Sequence, residues 1–305
     1  MASGAGKCCY ILLDLLLLCI VAAPIAVVRL LSVPIYERGF FCSDESLKYP
    51  YKDSTVTSLM LYSFSLGLPV LFMIVVEATI CVHRKTRQLE YLAQKSFNRC
   101  CCDVPINPYL FRTYKIIGMF LFGAAVTLDI TDMTKNVIGR LRPHFFDVCQ
   151  PDFSKINCSV GYITDFTCLG SDVDSINEAR RSFVSGHSSF SAYCMIYLVL
   201  YLQGRMQWKG IRLLKPFLQF IALLLTIFCC LTRISDHKHH WSDVLAGFIL
   251  GAAVALVMAY GVSDLFKKED VHEKIEHINS EIVFMEMNPR SRGKHKPTTI
   301  NSSFI

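Results

Sequence analysis

The chain has 305 residues, of which 52% are hydrophobic and 18% are charged. Its mean hydropathy of +0.39 is too high for an ordinary soluble domain. The net charge of +6 is spread along the chain, and no basic stripe is interleaved with aromatic residues, so nucleic acid is not expected as a partner. Composition therefore excludes an ordinary soluble domain, and the apolar runs described next predict an all-α, polytopic membrane protein whose helices form a bundle.

Six apolar runs long enough to cross a bilayer follow one another along the chain. They are residues 10–31, 58–81, 113–132, 184–203, 213–231 and 243–264. The first run follows a single Lys and lacks a clear cleavage site, so a retained helix is expected rather than a signal peptide. In the last run, Gly247 and Gly251 form a small-xxx-small pair, which predicts close helix packing within the chain.

The predicted organisation is a cytoplasmic N-terminus over residues 1–9, one six-helix domain over 10–265, and a polar, disordered cytoplasmic tail over 266–305. Lys and Arg totals are equal for the two sets of loops, but charge density favours a cytoplasmic position for the segments 82–99 and 204–215. A glycosylation sequon begins at Asn157 in the longest loop, which fits a lumenal or extracellular position for that loop.

The fourteen cysteines fall into separate groups. Four lie in loops predicted to face outward, and their even number indicates disulfides with three connectivities open. These four are Cys42, Cys149, Cys158 and Cys168. Two further groups lie near membrane segments, where reversible palmitoylation is a hypothesis. They are Cys8 with Cys9, and Cys100, Cys101 and Cys102. No Cys or His spacing indicates a zinc site.

A first polar group, Lys135 and Arg142, follows the third apolar run. The two residues are seven apart, so on a continuing helix they would share one face. Two cations so placed suit a doubly charged oxyanion, and the Arg fork can hold two oxygens at once. The alternative is positive charge that marks a helix end near lipid headgroups.

A second group, Ser185, Gly186 and His187, opens the fourth run. Backbone amides at a helix N-terminus can cradle an anion, and Gly186 allows a close backbone approach. His187 would stand beside that anion, ready for acid–base chemistry near neutral pH. Taken alone, a histidine at a helix start is more often structural.

The third group lies in residues 232–243, TRISDHKHHWSD, between the last two runs. If the next helix starts here, His239 and Asp243 share one face, and the carboxylate can accept from one imidazole nitrogen. The other nitrogen would then serve as base or nucleophile. Arg233 adds a cation. For this segment alone, a solvated loop in the headgroup region is an equal alternative.

Together the groups suggest phosphoryl transfer, in which one histidine attacks phosphorus, the other protonates the leaving oxygen, and the cations neutralise the equatorial oxygens. No carboxylate cluster suits Mg²⁺ or two-metal chemistry, so a route without metal or cofactor is predicted. An anion transporter or channel is the alternative, but the ionisable groups lie at one predicted face and no inverted repeat is evident.

The three groups read K-x6-R-P, S-G-H and R-x5-H-x3-D, a pattern that resembles the signature of the type 2 phosphatidic acid phosphatase superfamily. Within it, the chain is similar to the animal lipid phosphate phosphatases over roughly residues 10–265. The stretches that carry this similarity are GRLRPHF, INCS, SGHSSFS, RLLKPFLQF and DHKHHWSDVLAGF. Val184 stands where the signature has Pro, and Thr232 where it has Ser; neither change removes a catalytic group.

The resemblance implies that His239, rather than His237 or His240, is a nucleophile that forms a phosphohistidine. Asp243 would orient it, and His187 would be the general acid. The residues implied in phosphate binding are Lys135, Arg142, Arg233, Ser185 and Gly186.

The implied activity is Mg²⁺-independent hydrolysis of phosphatidate, lysophosphatidate, sphingosine 1-phosphate and ceramide 1-phosphate at the extracellular or lumenal face. The plasma membrane is the expected location, with endosomal or endoplasmic reticulum pools as alternatives, and homo-oligomers are implied as well. Haloperoxidases with these motifs are soluble, which the apolar runs exclude. A phosphotransferase on the same site would need an acceptor pocket.

Overall fold

A computed structural model of the protein describes residues 4–30, 34–86, 108–206, 211–263 and 265–266. The long helices in these ranges are α1 (Gly4–Leu30), α2 (Ser58–Thr86), α3 (Pro108–Ile138), α6 (Gly186–Arg205), α7 (Leu214–Ser235) and α8 (Trp241–Leu256). A π-helical segment, Val257–Val262, continues α8. Each predicted span overlaps one long helix. The predicted tail beyond Phe266, the side chains of Cys8 and Cys9, and Cys100, Cys101 and Cys102 lie outside what is described.

Four helical segments of the described ranges are long and apolar enough to cross a membrane. They are Ser58–Val82, Tyr109–Ile138, Leu214–Ser235 and Trp241–Val262. Ile11–Val27, in α1, is a shorter apolar segment. The prediction of a polytopic helical membrane protein is confirmed. The remaining long helix, α6, packs against α2, α3, α7 and α8 at the centre of the bundle.

Short elements fill the loops at one end of the helices. They are α4 (Phe145–Cys149), α5 (Val173–Ala179), β1 (Phe40–Phe41), β2 (Tyr162–Ile163) and the 3₁₀ turns Glu45–Leu47 and Cys158–Val160. The strands pair antiparallel, with Phe40 opposite Ile163. Residues 34–57, 139–185 and 236–240 meet here and form what we call the loop face.

Two disulfides hold the loop face together. Cys42 pairs with Cys158 across 116 residues, and Cys149 pairs with Cys168 across 19. This is one of the three connectivities that the sequence left open. A disulfide restricts the unfolded chain, so these bonds favour the folded arrangement of the loops around the helix ends.

Helices α6 and α8 pack backbone to backbone through the predicted glycine pair. A Cβ atom on Gly247 would lie 2.6 Å from the carbonyl oxygen of Ser185, and one on Gly251 would collide with the carbonyl of Ser189. No side chain larger than hydrogen fits at either position. The close approach brings the start of α8 against the start of α6, where Ser185 N donates to the carbonyl of Asp243 (3.1 Å).

At the opposite end of the bundle, a buried ion pair joins α2 to α6. Glu77 is 2% exposed, and its carboxylate accepts from Arg205 Nε (2.9 Å) and Nη2 (3.0 Å) and from the Tyr201 hydroxyl (3.1 Å). A carboxylate inside an apolar bundle is costly unless it is paired. No sequence motif predicts this pair, because the partners are more than 120 positions apart.

Candidate active site

Lys135 lies in the last turn of α3 and reaches the start of α6. A Cβ atom on Gly186 would lie 3.1 Å from Lys135 Nζ, so the glycine makes room for the ammonium group. The first two predicted groups therefore meet. The first-turn N–H groups of α6 have no acceptor within the helix and are available to an anion at this place.

The prediction that Lys135 and Arg142 share one helix face is wrong. Helix α3 ends at Ile138, and Gly139 adopts a φ of +56°, the left-handed conformation that ends many helices. Arg142 therefore extends from a loop, which is fixed by a hydrogen bond from its backbone N to the carbonyl of Ala179 (2.8 Å).

His187 lies in the first turn of α6, after Ser185 as the N-cap residue. Its ring lies within hydrogen-bonding reach of the backbone of Val56, in the loop that precedes α2. The other ring nitrogen, Nε2, is buried and has no partner among the described residues. The histidine is thus held from one side and presents Nε2 on the other.

Arg233 lies in the last turn of α7 and is 1% exposed. One terminal nitrogen, Nη2, donates to Asp236 Oδ2 (3.0 Å). A buried guanidinium needs such a partner to offset its desolvation. Its Nε is buried and unpaired among the described residues.

His239 is 4% exposed and lies in the turn before α8. Its Nδ1 lies 2.8 Å from the carbonyl oxygen of Ser182. A carbonyl can only accept, so Nδ1 carries the proton and Nε2 presents its lone pair. Burial lowers the pKa of His239 well below its ordinary value, and Arg142, Lys135 and His187 lower it further. The ring is therefore neutral near pH 7, as a nitrogen nucleophile must be.

The predicted hydrogen bond from His239 to Asp243 is wrong. Helix α8 begins at Trp241, two residues after His239, so the two side chains do not share a helix face. Asp243 instead caps α8 by accepting from the His240 backbone N (3.1 Å). It also accepts from Ser182 Oγ (2.6 Å), and that hydroxyl lies 3.4 Å from His239 Nδ1. Among the described side chains, Ser182 thus connects the carboxylate to the imidazole.

Two further charged residues border the site, and the sequence analysis assigned neither a role. Arg140 donates to the fully buried Asp243 carboxylate and to Ser242 Oγ (2.8 Å). Glu178, in α5, pairs with Arg142 although its side chain is 51% exposed. Desolvation would raise the pKa of Glu178, but Arg142, Lys135 and Arg181 outweigh it, so the pKa lies below its usual value. Spacing along the chain gives no signal for these contacts.

The three groups converge on one buried position. Unpaired buried polar atoms are rare in proteins, and each needs an explanation. Here Arg142 Nε, Arg233 Nε and His187 Nε2 are all buried without a partner among the described residues. They come from three separate motifs, and both His187 and His239 lie within electrostatic reach of Lys135 and Arg142.

Two other predictions concern groups outside this cluster. Asn157 is exposed on the loop face, and its side chain accepts from Ser159 N (3.1 Å); glycosylation there stays a prediction. Within the described ranges, no group of three or more His, Cys, Asp or Glu side chains could hold a metal ion. Independence from Mg²⁺ also stays a prediction.

The fold and the site together define a helical, integral membrane protein with a cationic, two-histidine centre at one end of its bundle. Residues 116–267 match the PAP2 superfamily, and the matched range contains every residue of the predicted centre. The chain belongs to the PAP2 superfamily, as its motifs predicted.

Curated relatives align with the chain over most of its length. It is 44% identical to phospholipid phosphatase 1 of Rattus norvegicus over 271 residues, which cover 86% of this chain and 91% of the relative. It is 42% identical to phospholipid phosphatase 2 of Homo sapiens over 258 residues, which cover 85% of this chain and 84% of the relative. No solved structure matches the chain.

Proposed function

We propose that the protein is an integral-membrane lipid phosphate phosphatase that works through a phosphohistidine on His239. The similar proteins are phospholipid phosphatases, which supports the substrate class. The observation that carries the mechanism is the hydrogen bond from His239 Nδ1 to the carbonyl of Ser182 (2.8 Å), because it leaves Nε2 as an unprotonated nucleophile.

In the first step, His239 Nε2 forms a bond to phosphorus while the bond from phosphorus to the lipid oxygen breaks. Lys135, Arg142 and Arg233 neutralise the equatorial oxygens, assisted by Ser185 and the Gly186 amide. His187 donates a proton to the leaving oxygen. The bound phosphate dianion favours this protonated form of His187, because opposite charge nearby stabilises a cation.

In the second step, water attacks the phosphorus of phosphohistidine, and the P–N bond breaks to restore neutral His239. His187, now neutral, takes the proton from the water, since the same group can act as acid and then as base. Inorganic phosphate is released. Three cations supply the charge stabilisation that a metal ion gives in other phosphatases, which supports a Mg²⁺-independent reaction.

The substrates we propose are phosphatidate, lysophosphatidate, sphingosine 1-phosphate and ceramide 1-phosphate. Each is a phosphate monoester on an apolar chain, and a site at the end of apolar helices lets the chain lie along the bundle while the phosphate reaches the cations. We propose that the site faces the extracellular side of the plasma membrane, or the lumen where the protein is in endosomes or the endoplasmic reticulum, because the loop face carries the disulfides and the Asn157 sequon.

The test is phosphate release from labelled phosphatidate in detergent micelles with EDTA present. We expect release by the wild type, no release by His239→Ala or His187→Ala, and release by His277→Ala, a histidine outside the range that matches the superfamily. Acid-labile label trapped on the wild type and absent from His239→Ala would identify the phosphohistidine. A well-folded wild type without activity, or an active His239→Ala, would overturn the proposal.

A further inference from the structure

The segment 49–56, which we call the strap, crosses the loop face before α2. Tyr49 N donates to the carbonyl of Pro143 (3.1 Å), and Tyr51 N donates to Asp147 Oδ2 (2.8 Å). These bonds attach the strap to the segment that follows Arg142. No predicted site residue lies in this segment.

Aromatic contacts attach the same segment to the loop that carries His239. The Tyr49 ring lies 4.6 Å from the His237 ring, and Lys238 Nζ lies 3.5 Å from the centre of the Tyr51 ring. A cation over an aromatic face is a favourable contact, more so when it is desolvated. The strap is thus held against two of the three motifs before its last residues reach the site.

Those last residues are bound by Asp236, which is 6% exposed. Asp236 Oδ1 accepts from Thr55 Oγ1 (2.8 Å), and Oδ2 accepts from Thr55 N (2.8 Å) and Arg233 Nη2 (3.0 Å). Both carboxylate oxygens are therefore occupied, by the strap on one side and by a phosphate-site cation on the other. Charge-assisted bonds of this kind are the stronger class of hydrogen bond.

The next residue of the strap contacts the second motif. The backbone of Val56, which is 6% exposed, lies within hydrogen-bonding reach of the His187 ring. His187 Nε2 is buried without a partner among the described residues, so this nitrogen is the one left for substrate. Thr55 and Val56 are adjacent, so the two bonds from Thr55 to Asp236 also fix the backbone that lies beside His187.

We propose that Asp236 and Thr55 are positioning residues that hold Arg233 and His187 in their working geometry by fixing the strap between them. This inference rests on the proposed phosphatase function. Neither residue touches the reacting atoms. Asp236 sets the guanidinium of Arg233 directly, and it sets His187 through Thr55 and the Val56 backbone.

The matched pair for the test is Thr55→Val and Thr57→Val. Both threonines lie just before α2, and both hydroxyls form hydrogen bonds. Thr57 Oγ1 accepts from Met60 N (3.3 Å) at the start of the helix, whereas Thr55 Oγ1 donates to Asp236. We expect Thr55→Val and Asp236→Asn to lower kcat/KM for phosphatidate about tenfold or more, as loss of an outer-shell partner commonly does. Thr55→Ser should restore the wild-type value, and Thr57→Val should retain it.

A second substrate separates positioning of His187 from general damage. An aryl phosphate such as p-nitrophenyl phosphate has a good leaving group and needs little protonation by His187. The loss in Thr55→Val should therefore be much smaller for the aryl phosphate than for phosphatidate. Asp236→Asn should lose activity on both, because Arg233 contacts the phosphate itself.

The result that would overturn the proposal is an active wild type in which Thr55→Val keeps its kcat/KM for phosphatidate, or loses the same factor on both substrates. Failure of Thr55→Ser to restore activity would overturn it as well. If the wild type itself releases no phosphate, the proposed function fails first, so the two failures are distinguishable.

Discussion

Ser182 stands between Asp243 and His239. Its hydroxyl donates to Asp243 Oδ2 over 2.6 Å, while its own carbonyl accepts from His239 Nδ1 over 2.8 Å. One residue thus ties the cap of α8 to the proposed nucleophile. The carboxylate, fixed also by Arg140, holds the serine, and the serine holds the imidazole.

Ser182→Ala removes the bond to Asp243 and leaves the carbonyl in place. We expect kcat to fall about tenfold. The Ser182 carbonyl still accepts from the His239 imidazole, but the bond to Asp243 that holds Ser182 in position is lost. KM should change little, since the phosphate-binding cations remain. Steady-state kinetics on phosphatidate measure both values. Ser191→Ala is the control: Ser191 is also buried in this part of the bundle, but its hydroxyl donates to the Ser188 carbonyl (3.4 Å). Equal losses in both variants would argue against a specific role for Ser182.

Glu178→Gln tests whether this carboxylate competes with substrate for Arg142. Its half-exposed ion pair contributes little to stability, so we expect KM to fall about two- to fivefold with kcat unchanged. Inhibition by inorganic phosphate should strengthen by a similar factor. Glu45→Gln, which removes an exposed pair with Lys48 (2.6 Å), should change neither value. A lower kcat in Glu178→Gln would show instead that Glu178 positions Arg142.

The burial of His144 should make the stability of the protein depend on pH. It is 3% exposed, and burial lowers its pKa from 6.5 to about 4, against a hydrogen bond to the His237 carbonyl that raises it. As pH falls from about 6.5 towards 4, His144 becomes protonated in the unfolded chain but stays neutral in the folded one. Protonation therefore stabilises the unfolded state, and the free energy of unfolding decreases. Thermal unfolding in detergent should show Tm falling from pH 7 to pH 5. The fall should be smaller in His144→Gln, and an identical slope in that variant would contradict the prediction.

The two disulfides should differ in their effect on stability. A cross-link stabilises more when it closes a longer loop, by about 3 kcal/mol for a short loop and nearly 5 for one of ~100 residues. Replacing Cys42 and Cys158 together by Ser should therefore lower Tm more than replacing Cys149 and Cys168. The first disulfide closes a loop of 116 positions, and the second closes one of 19. Cys19→Ser, at a free and exposed cysteine, is the control. The reverse order would show that strain or local packing outweighs loop length.

The sequence by itself determined the class of protein and the identity of the three groups. Apolar runs are a property of a local stretch, because a bilayer requires about twenty apolar residues in a row whatever surrounds them. The superfamily pattern is local as well, so Lys135, His187 and His239 could be singled out. That the three distant segments meet could be inferred only indirectly, because each lies at the predicted end of a span.

The tertiary structure decided which atoms are partners. Helix α3 ends at Ile138 and α8 begins at Trp241, so neither predicted shared helix face forms. Ser182 takes the place predicted for Asp243, and Asp236, which lies 181 positions from Thr55, connects the strap to Arg233. A buried polar group left without a hydrogen bond is unfavourable. Any donor or acceptor that the fold brings within reach can supply that bond, so distance in the folded protein determines the partner. Proximity of this kind is a property of the packed helices, and no spacing along the chain encodes it.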